Sequence, residues 1–204
     1  MKPSKIVCIG RNYVDHAKEL GNEVPKEPLF FLKPPSSLIG NDEAIVLPPQ
    51  SSRVEFEGEI AIVIGTRLKN ASEAEALAAV AGVVALNDVT ARDLQRTDSQ
   101  WTRAKGFDTF CAVGTPKTGE SFDFGALEIV TRVNGKERQR AHGRDMVFSV
   151  PFLLSYVSRV MTLEPGDLLA TGTPAGVGPL APGDVVEVEI PGVSSVRNSV
   201  RSAE

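Results

Sequence analysis

The chain is poor in the side chains on which most zinc, redox and membrane proteins rely. Its 204 residues include two cysteines and two histidines. These are too few soft ligands, at unsuitable spacing, for a zinc site of the finger or ribbon type. Any metal here would have to be held by oxygen. Cys8 and Cys111 lie in the apolar stretches KIVCIG and DTFCAV, where buried free thiols are the expected state and a disulfide is not. No apolar run approaches the ~20 residues of a membrane-spanning helix, and the start MKPSKIVCIG lacks the apolar segment of a signal peptide. The expectation is a cytoplasmic protein with no membrane partner. A basic stripe is missing as well. With 22 Lys+Arg against 26 Asp+Glu and a formal charge of −4, nucleic acid is not an expected partner. Repeats, low-complexity blocks and long linkers are absent, and residues 1–204 are read as one domain with enough chain for a substantial core.

What the chain does have is many short strand signals between turn residues. KIVCIG reads as a first strand. Asn12 is a candidate cap for a short helix through Leu20, ended by Gly21. Residues 21–37 read as an irregular loop around a short LFFL strand, and residues 44–47 and 54–65 as strands. Ser72 and Glu75 form a capping-box pattern before a helix through Ala81. GVVALNDVT suits a buried strand, and Asn134-Gly135 is the strongest hairpin signal in the chain. SVPFLLSYVSRVM has helical apolar spacing after an early Pro151. The remainder alternates short strands with Pro-Gly-Asp turns. Many strands and few short helices predict a mixed β-roll or sandwich with peripheral helices, and disfavour a doubly wound sheet.

Several constellations can carry chemistry. In VEFEGEIAIVIG, a single strand over 54–65 would put Glu55, Glu57 and Glu59 on one face. That strip is either a solvated face or, in a partly buried groove, a set of repelling carboxylates that a hard divalent cation would reconcile. Asp88 ends the apolar LNDVT strand, where it is either a turn residue or a third oxygen ligand. His16 and Glu19 are three apart, within contact range on a helix, as a surface pair or as an oriented base whose carboxylate partner raises its pKa. Lys105 lies in the apolar, aromatic WTRAKGFDTF and needs an anionic partner. TGTPAGVG lacks the Lys-Ser/Thr ending of a phosphate loop. It reads either as a connector or as a loop supplying N–H groups and hydroxyls to an anionic ligand. His142 reads as a surface residue.

Six stretches then run in register from residue 6 to 190: GRNYVDHAKELG, PLFFLKPPSSLIG, VEFEGEIAIVIG, LNDVTARDLQ, WTRAKGFDTFCAVG and MTLEPGDLLATGTPAGVGPLAPGDVVEVEI. Together they resemble the fumarylacetoacetate hydrolase family, in its short acylpyruvase/isomerase branch. The resemblance implies a mixed α/β, β-rich sandwich roll with short peripheral helices, an open groove and a homodimer. It implies Mg²⁺ or Mn²⁺, with Ca²⁺ as a substitute, on Glu57, Glu59 and Asp88. His16 and Glu19 would be a water-activating pair on a lid spanning residues 12–30. Lys105 and Gln95 would face the substrate, and Arg11, Lys33, Arg92 and Thr173 would line or support the groove. Glu55 is expected to be an outer charge nearer solvent, and Gly58 to let a neighbour pack behind the ligand pair.

The implied activity is hydrolysis of a C–C bond in a small anionic 2,4-diketo acid, releasing a pyruvate enolate. The same enolate would serve isomerisation of a 2-hydroxymuconate-type acid or decarboxylation of oxaloacetate. A silent cation-binding protein is the reading from another class. The chain departs from the family pattern at the serines of PGVSSVRNSV, at Ala112 and at His142, none of which bears on the metal.

Overall fold

The computed structural model describes residues 2–19, 21 and 23–203. Its architecture is mixed α/β and rich in strand, with curled sheets and short helices. The largest sheet runs in the order Leu29–Lys33, Ile6–Gly10, Leu168–Ala170, Gly58–Ile64, Val80–Asp88, Cys111–Val113 and Leu38–Ile39, with Lys117–Thr118 also paired to Val80–Asp88. A second sheet runs Lys136–His142, Glu128–Val133, Val185–Ile190, Ser194–Ser202 and Ile45–Leu47, and a small third one Gly178–Pro179, Val54–Phe56 and Thr90–Ala91. Ile6–Gly10 is parallel to Leu168–Ala170 and Leu38–Ile39 to Cys111–Val113, whereas Gly58–Ile64 lies antiparallel to both its neighbours.

The central strands of the large sheet are buried on both faces, which is why they read as near-continuous apolar runs. Val7, Ile9, Ile60, Ile62, Val83, Ala85 and Leu169 belong to the main core. The alternate residues Ile6, Cys8, Ala61, Val84, Leu86, Cys111, Leu168 and Ala170 form a second, smaller core on the opposite face. Both thiols are free and buried there, as expected. Continuing the alternation, Glu59, Asp88 and Lys33 fall on the face of this smaller core, at its end.

Local signals mostly give the elements they predict. Asn134 and Gly135 have φ of 52° and 76° and join Glu128–Val133 to Lys136–His142, the backbone a two-residue type I′ turn requires. Ser149 caps Val150–Val160, and Ser72 with Glu75 forms the reciprocal capping box. That second helix is Glu73–Ala78, shorter than expected, because Val80 already pairs with Ile64 in the sheet.

Two further expectations are corrected. Asn12 does not cap the first helix, Val14–Glu19. Its amide accepts from Phe148 N–H at 2.8 Å and donates to Thr171 O at 2.8 Å, so it ties this segment to two distant loops. The expected helix end at Leu20 lies outside the described residues. The stretch 54–65 is not one strand but breaks at Glu57: Val54–Phe56 pairs in the small sheet and Gly58–Ile64 in the large one. Gly58 sits at the break, where a Cβ would lie 1.9 Å from Thr131 Oγ1. Among the described residues no helix is long and apolar enough to cross a membrane.

Candidate active site

Glu57, Glu59 and Asp88 each bring one carboxylate oxygen within 4.8 Å of the others, and all three are buried. The fold holds their backbone tightly. Glu57 N–H donates to Asn87 Oδ1 at 3.0 Å, Gly58 N–H to Gln139 Oε1 at 3.0 Å, and Thr173 Oγ1 to Gly58 O at 2.9 Å. Gln139 in turn donates to Thr173 Oγ1 and Pro174 O, each at 2.8 Å. A strand of the second sheet therefore braces the Glu57–Glu59 pair from behind. Nothing in the local motif pointed to Asn87 or Gln139, because Gln139 is distant in sequence and recognisable only once the sheets are packed.

Buried cations surround these carboxylates. Lys105 Nζ donates to Glu57 Oε2 at 2.7 Å and Asp88 Oδ2 at 2.6 Å. Lys33 Nζ donates to Asp88 Oδ1 at 2.5 Å and to Val89 O at 3.1 Å. Arg92 reaches Glu57 Oε1 at 2.5 Å, Glu55 Oε2 at 2.7 Å and Gln95 Oε1 at 2.5 Å. Glu55 is thus not an outer charge: it is 2 % exposed and also accepts from Arg53. The strand break turns it into the small sheet, where Arg92 neutralises it. The expected anion-binding role of TGTPAGVG is redirected in part, since two of its N–H groups serve the chain's own carboxylates. Gly172 N–H donates to Glu59 Oε2 at 2.8 Å, and Gly176 N–H to Glu19 at 3.1 Å.

The two ligand-type glutamates have opposite electrostatics. Burial pushes the Glu57 carboxyl up, but Lys105 and Arg92 outweigh it and hold the group well below the usual carboxylate range. Burial, reinforced by Asp88 and Glu57, pushes the Glu59 carboxyl well above that range. Among the described residues Glu59 has an N–H partner but no cation partner. The donor set consists only of hard oxygens, and a divalent cation would relieve the conflict at Glu59. The residues fit Mg²⁺ or Mn²⁺.

A cavity of about 300 Å³ opens above Glu57. Arg11, His16, Arg92, Gln95, Lys105 and Thr173 line it, as do Phe31, Arg96 and Trp101, which the motif reading did not assign. Lys33 does not line it and acts as support for Asp88. His16 is 4 % exposed, with Nδ1 3.4 Å from Glu19 Oε2. Burial lowers the His16 pKa; Glu57 pulls it back up, Arg92 lowers it further, and the Glu19 contact raises it without reversing the balance. The expected rise from the carboxylate partner is overridden by burial, which favours the neutral imidazole, the form a base needs. Gln95 Oε1 is taken by Arg92, which leaves its NH₂ group for the cavity. His142 lies apart from the cavity, 3.9 Å from Glu128.

A braced cluster of carboxylates under a small cation-lined cavity, with a buried imidazole beside it, defines an enzyme site rather than a docking surface. A family model described as fumarylacetoacetate (FAA) hydrolase C-terminal matches residues 5–201, and the chain belongs to the fumarylacetoacetate hydrolase family. It is 44% identical over 203 residues to the mitochondrial oxaloacetate tautomerase FAHD1 of Arabidopsis thaliana, covering 97% of this chain and 91% of that protein. The mitochondrial oxaloacetate decarboxylase of Dictyostelium discoideum is 43% identical over 94% of this chain and 90% of its own length. The crystal structure of 5-carboxymethyl-2-hydroxymuconate delta-isomerase from Mycobacterium smegmatis superposes with a TM-score of 0.92, at 42% identity, covering 100% of this chain and 81% of that one.

Proposed function

We propose that the protein moves a proton at the carbon beside the 2-oxo group of a small 2-oxo acid. The reaction is keto–enol tautomerisation or double-bond isomerisation. Decarboxylation of a β-oxo acid such as oxaloacetate, in which the C3–C4 bond breaks to release CO₂ and leave a pyruvate enolate, would use the same stabilisation of charge on the 2-oxo oxygen. The observation that carries this reading is the buried His16 next to the carboxylate cluster in a cavity whose walls hold Arg11, Arg92, Arg96 and Lys105. The relatives named for tautomerase, decarboxylase and isomerase activity support it.

Glu57, Glu59 and Asp88 are the residues that would hold a divalent cation, which when bound supplies Lewis-acid stabilisation of negative charge developing on the substrate's 2-oxo oxygen. The chain's own groups do the rest. Glu19 orients the imidazole through Nδ1, and Nε2 takes the proton from C3 of the substrate. The electron pair of that C–H bond forms the C2–C3 double bond as the carbonyl π pair moves onto the 2-oxo oxygen. The proton then returns from Nε2 to the enolate oxygen, or to a carbon further along a conjugated acid. The Gln95 NH₂ group and Lys105 lower the cost of charge on the oxygens at the cavity floor. The helix Val14–Glu19 serves as the lid that excludes water.

A second reading is hydrolysis of a 2,4-diketo acid, favoured by the contact between His16 and Glu19. There the imidazole takes a proton from water, hydroxide adds to the 4-carbonyl, and the C3–C4 bond breaks with its electron pair leaving as the enolate.

The test follows oxaloacetate and acetylpyruvate by ultraviolet absorbance with Mg²⁺ or with a chelator. Accelerated enol–keto conversion of oxaloacetate with Mg²⁺ is expected, and His16→Gln should lower it ~100–1000-fold with an unchanged melting temperature. Rapid cleavage of acetylpyruvate with no effect on oxaloacetate would replace the first reading by the second.

A further inference from the structure

Glu55 is a buried carboxylate to which the proposed reaction gives no part. It does not line the cavity, and it stands outside the cluster of Glu57, Glu59 and Asp88. Burying a carboxylate is unfavourable unless its partners are good ones. Here they are two arginines: Arg53 Nε donates to Glu55 Oε1 at 2.6 Å and Arg92 Nε to Oε2 at 2.7 Å.

Arg92 commits its other nitrogens as well. Nη2 donates to Glu57 Oε1 and Nη1 to Gln95 Oε1, each at 2.5 Å. A guanidinium is a planar fork with fixed donor directions. With Glu55 on Nε and Glu57 on Nη2 its plane is set, and the direction of the Nη1 donor follows. That donor selects the carbonyl oxygen of Gln95, so the NH₂ group is the end left for the cavity that Gln95 lines. Without it an amide has two orientations of nearly the same shape. The wrong one turns a carbonyl oxygen towards the negative charge that develops on the substrate.

The backbone supports the same arrangement. Glu55 lies opposite Thr90 where Val54–Phe56 pairs with Thr90–Ala91, and Arg92 N–H donates to Arg53 O at 2.7 Å. Asp93 accepts from Ser51 Oγ at 2.6 Å and from Ser52 N–H at 2.8 Å. The first turn of the helix Arg92–Thr97 is thereby fastened to the segment that carries Glu55. Gln95, three residues after Arg92, lies on the same helix face.

We propose that Glu55 is a positioning residue of the site: acting through Arg92, it holds the Gln95 amide with its NH₂ group turned to the cavity. The inference rests on the proton-transfer reading above for its effect on rate, and on the hydrogen-bond chain alone for its effect on the amide.

The test combines oxaloacetate kinetics in Mg²⁺ with side-chain amide NMR, on Glu55→Gln, Gln95→Met and the double variant. Glu55→Gln should lower kcat about tenfold and move KM by less than about twofold. In the Gln95→Met background the same change should cost less than about twofold, because what it disturbs is already gone. Glu55→Asp should restore part of the rate. The Gln95 NH₂ resonances, identified by their loss in Gln95→Met, should shift in Glu55→Gln while those of Gln139 stay in place. Arg53→Ala alters an exposed side chain and should preserve the fold. It should move the Gln95 resonances in the same direction by less, and it carries the test if Glu55→Gln does not fold. Losses that multiply in the double variant, or Gln95 resonances that stay in place in the folded variants, would overturn the role of Glu55. A wild-type protein without activity on oxaloacetate, whose Gln95 resonances still respond to Glu55→Gln, would overturn the proton-transfer reading and leave the positioning role standing.

Discussion

The two faces of the large sheet carry the same backbone and opposite chemistry. One face is mainly aliphatic, with Val7, Ile60, Ile62, Val83 and Leu169 packed in the main core. The other starts as a small core of Ile6, Cys8, Ala61, Val84 and Leu86 and ends in Glu59, Asp88 and Lys33, all nearly inaccessible to solvent. Burial stabilises the first face directly. At the charged end burial is unfavourable until each charge has a partner. There the chain provides Lys33, Lys105 and Arg92 as buried counter-cations, and among the described residues Glu59 has none. A sheet that could have been a plain structural layer is held together at one end by ion pairs, and that end is the one that faces the cavity.

Breaking the charged end should cost more than thinning the aliphatic one. Lys33→Met strips Asp88 of a partner and leaves Val89 O without its donor, and it should lower stability by ~3–5 kcal/mol in chemical denaturation. Leu169→Ala, a fully buried truncation on the other face, should cost ~2–4 kcal/mol and leave any metal response intact. A Lys33→Met loss below that of Leu169→Ala would mean that water reaches the ion pairs. Gly58→Ala tests the brace between the two sheets. Its Cβ would collide with Thr131 Oγ1 and come within 3.2 Å of Gln139 Oε1 and Val188 Cγ1, an overpacking cost of ~1–3 kcal/mol. Thr131→Ala in the same chain should recover part of it, and additivity of the two changes would contradict the contact.

The smallest effect separates buried from exposed charge. Asp93 accepts hydrogen bonds from Ser51 Oγ, Ser52 N–H and Oγ, and Leu94 N–H. Slight burial pushes its carboxyl up, but these donors prevail and hold it down at about 2. Its folded-state pKa lies below the unfolded value of about 3.9. The contribution is therefore present above pH ~4 and lost as the pH falls towards 2. Because the group is largely solvated, the change in melting temperature over that range should be small, and Asp93→Asn should flatten it. An unchanged acid profile in Asp93→Asn would show that these hydrogen bonds contribute nothing.

The carboxylate cluster was legible because its signals are local and the family resemblance joined them. Glu-x-Glu opens an apolar strand, Asp88 closes another, and antiparallel pairing brings Gly58 opposite Asn87. His16 and Glu19 were legible for the same reason, being three apart on a short helix. Three kinds of feature were not legible. Glu55 looked like a solvent charge because the alternation of a continuous strand was assumed, whereas the break at Glu57 turns it towards Arg92. Asn12 carried the side chain of a helix cap, but tertiary partners at Phe148 and Thr171 outcompeted the local role. Gln139 and Thr131 reach Gly58 from the second sheet, and no local pattern records a contact over more than 70 residues of chain. The composition of TGTPAGVG suggested donors for an anion, but not that the anions would be Glu19 and Glu59 of the same chain.

We propose the charged end of the sheet as a cation site built from Glu57, Glu59 and Asp88. Titration with Mn²⁺, followed by the loss of the free-ion electron paramagnetic resonance signal, tests it most directly. The account predicts one Mn²⁺ site per chain in the wild-type protein, weakened at least ~100-fold in Glu59→Gln. A wild-type protein that leaves the free-ion signal unchanged, or a Glu59→Gln protein that binds as tightly as wild type, would contradict it.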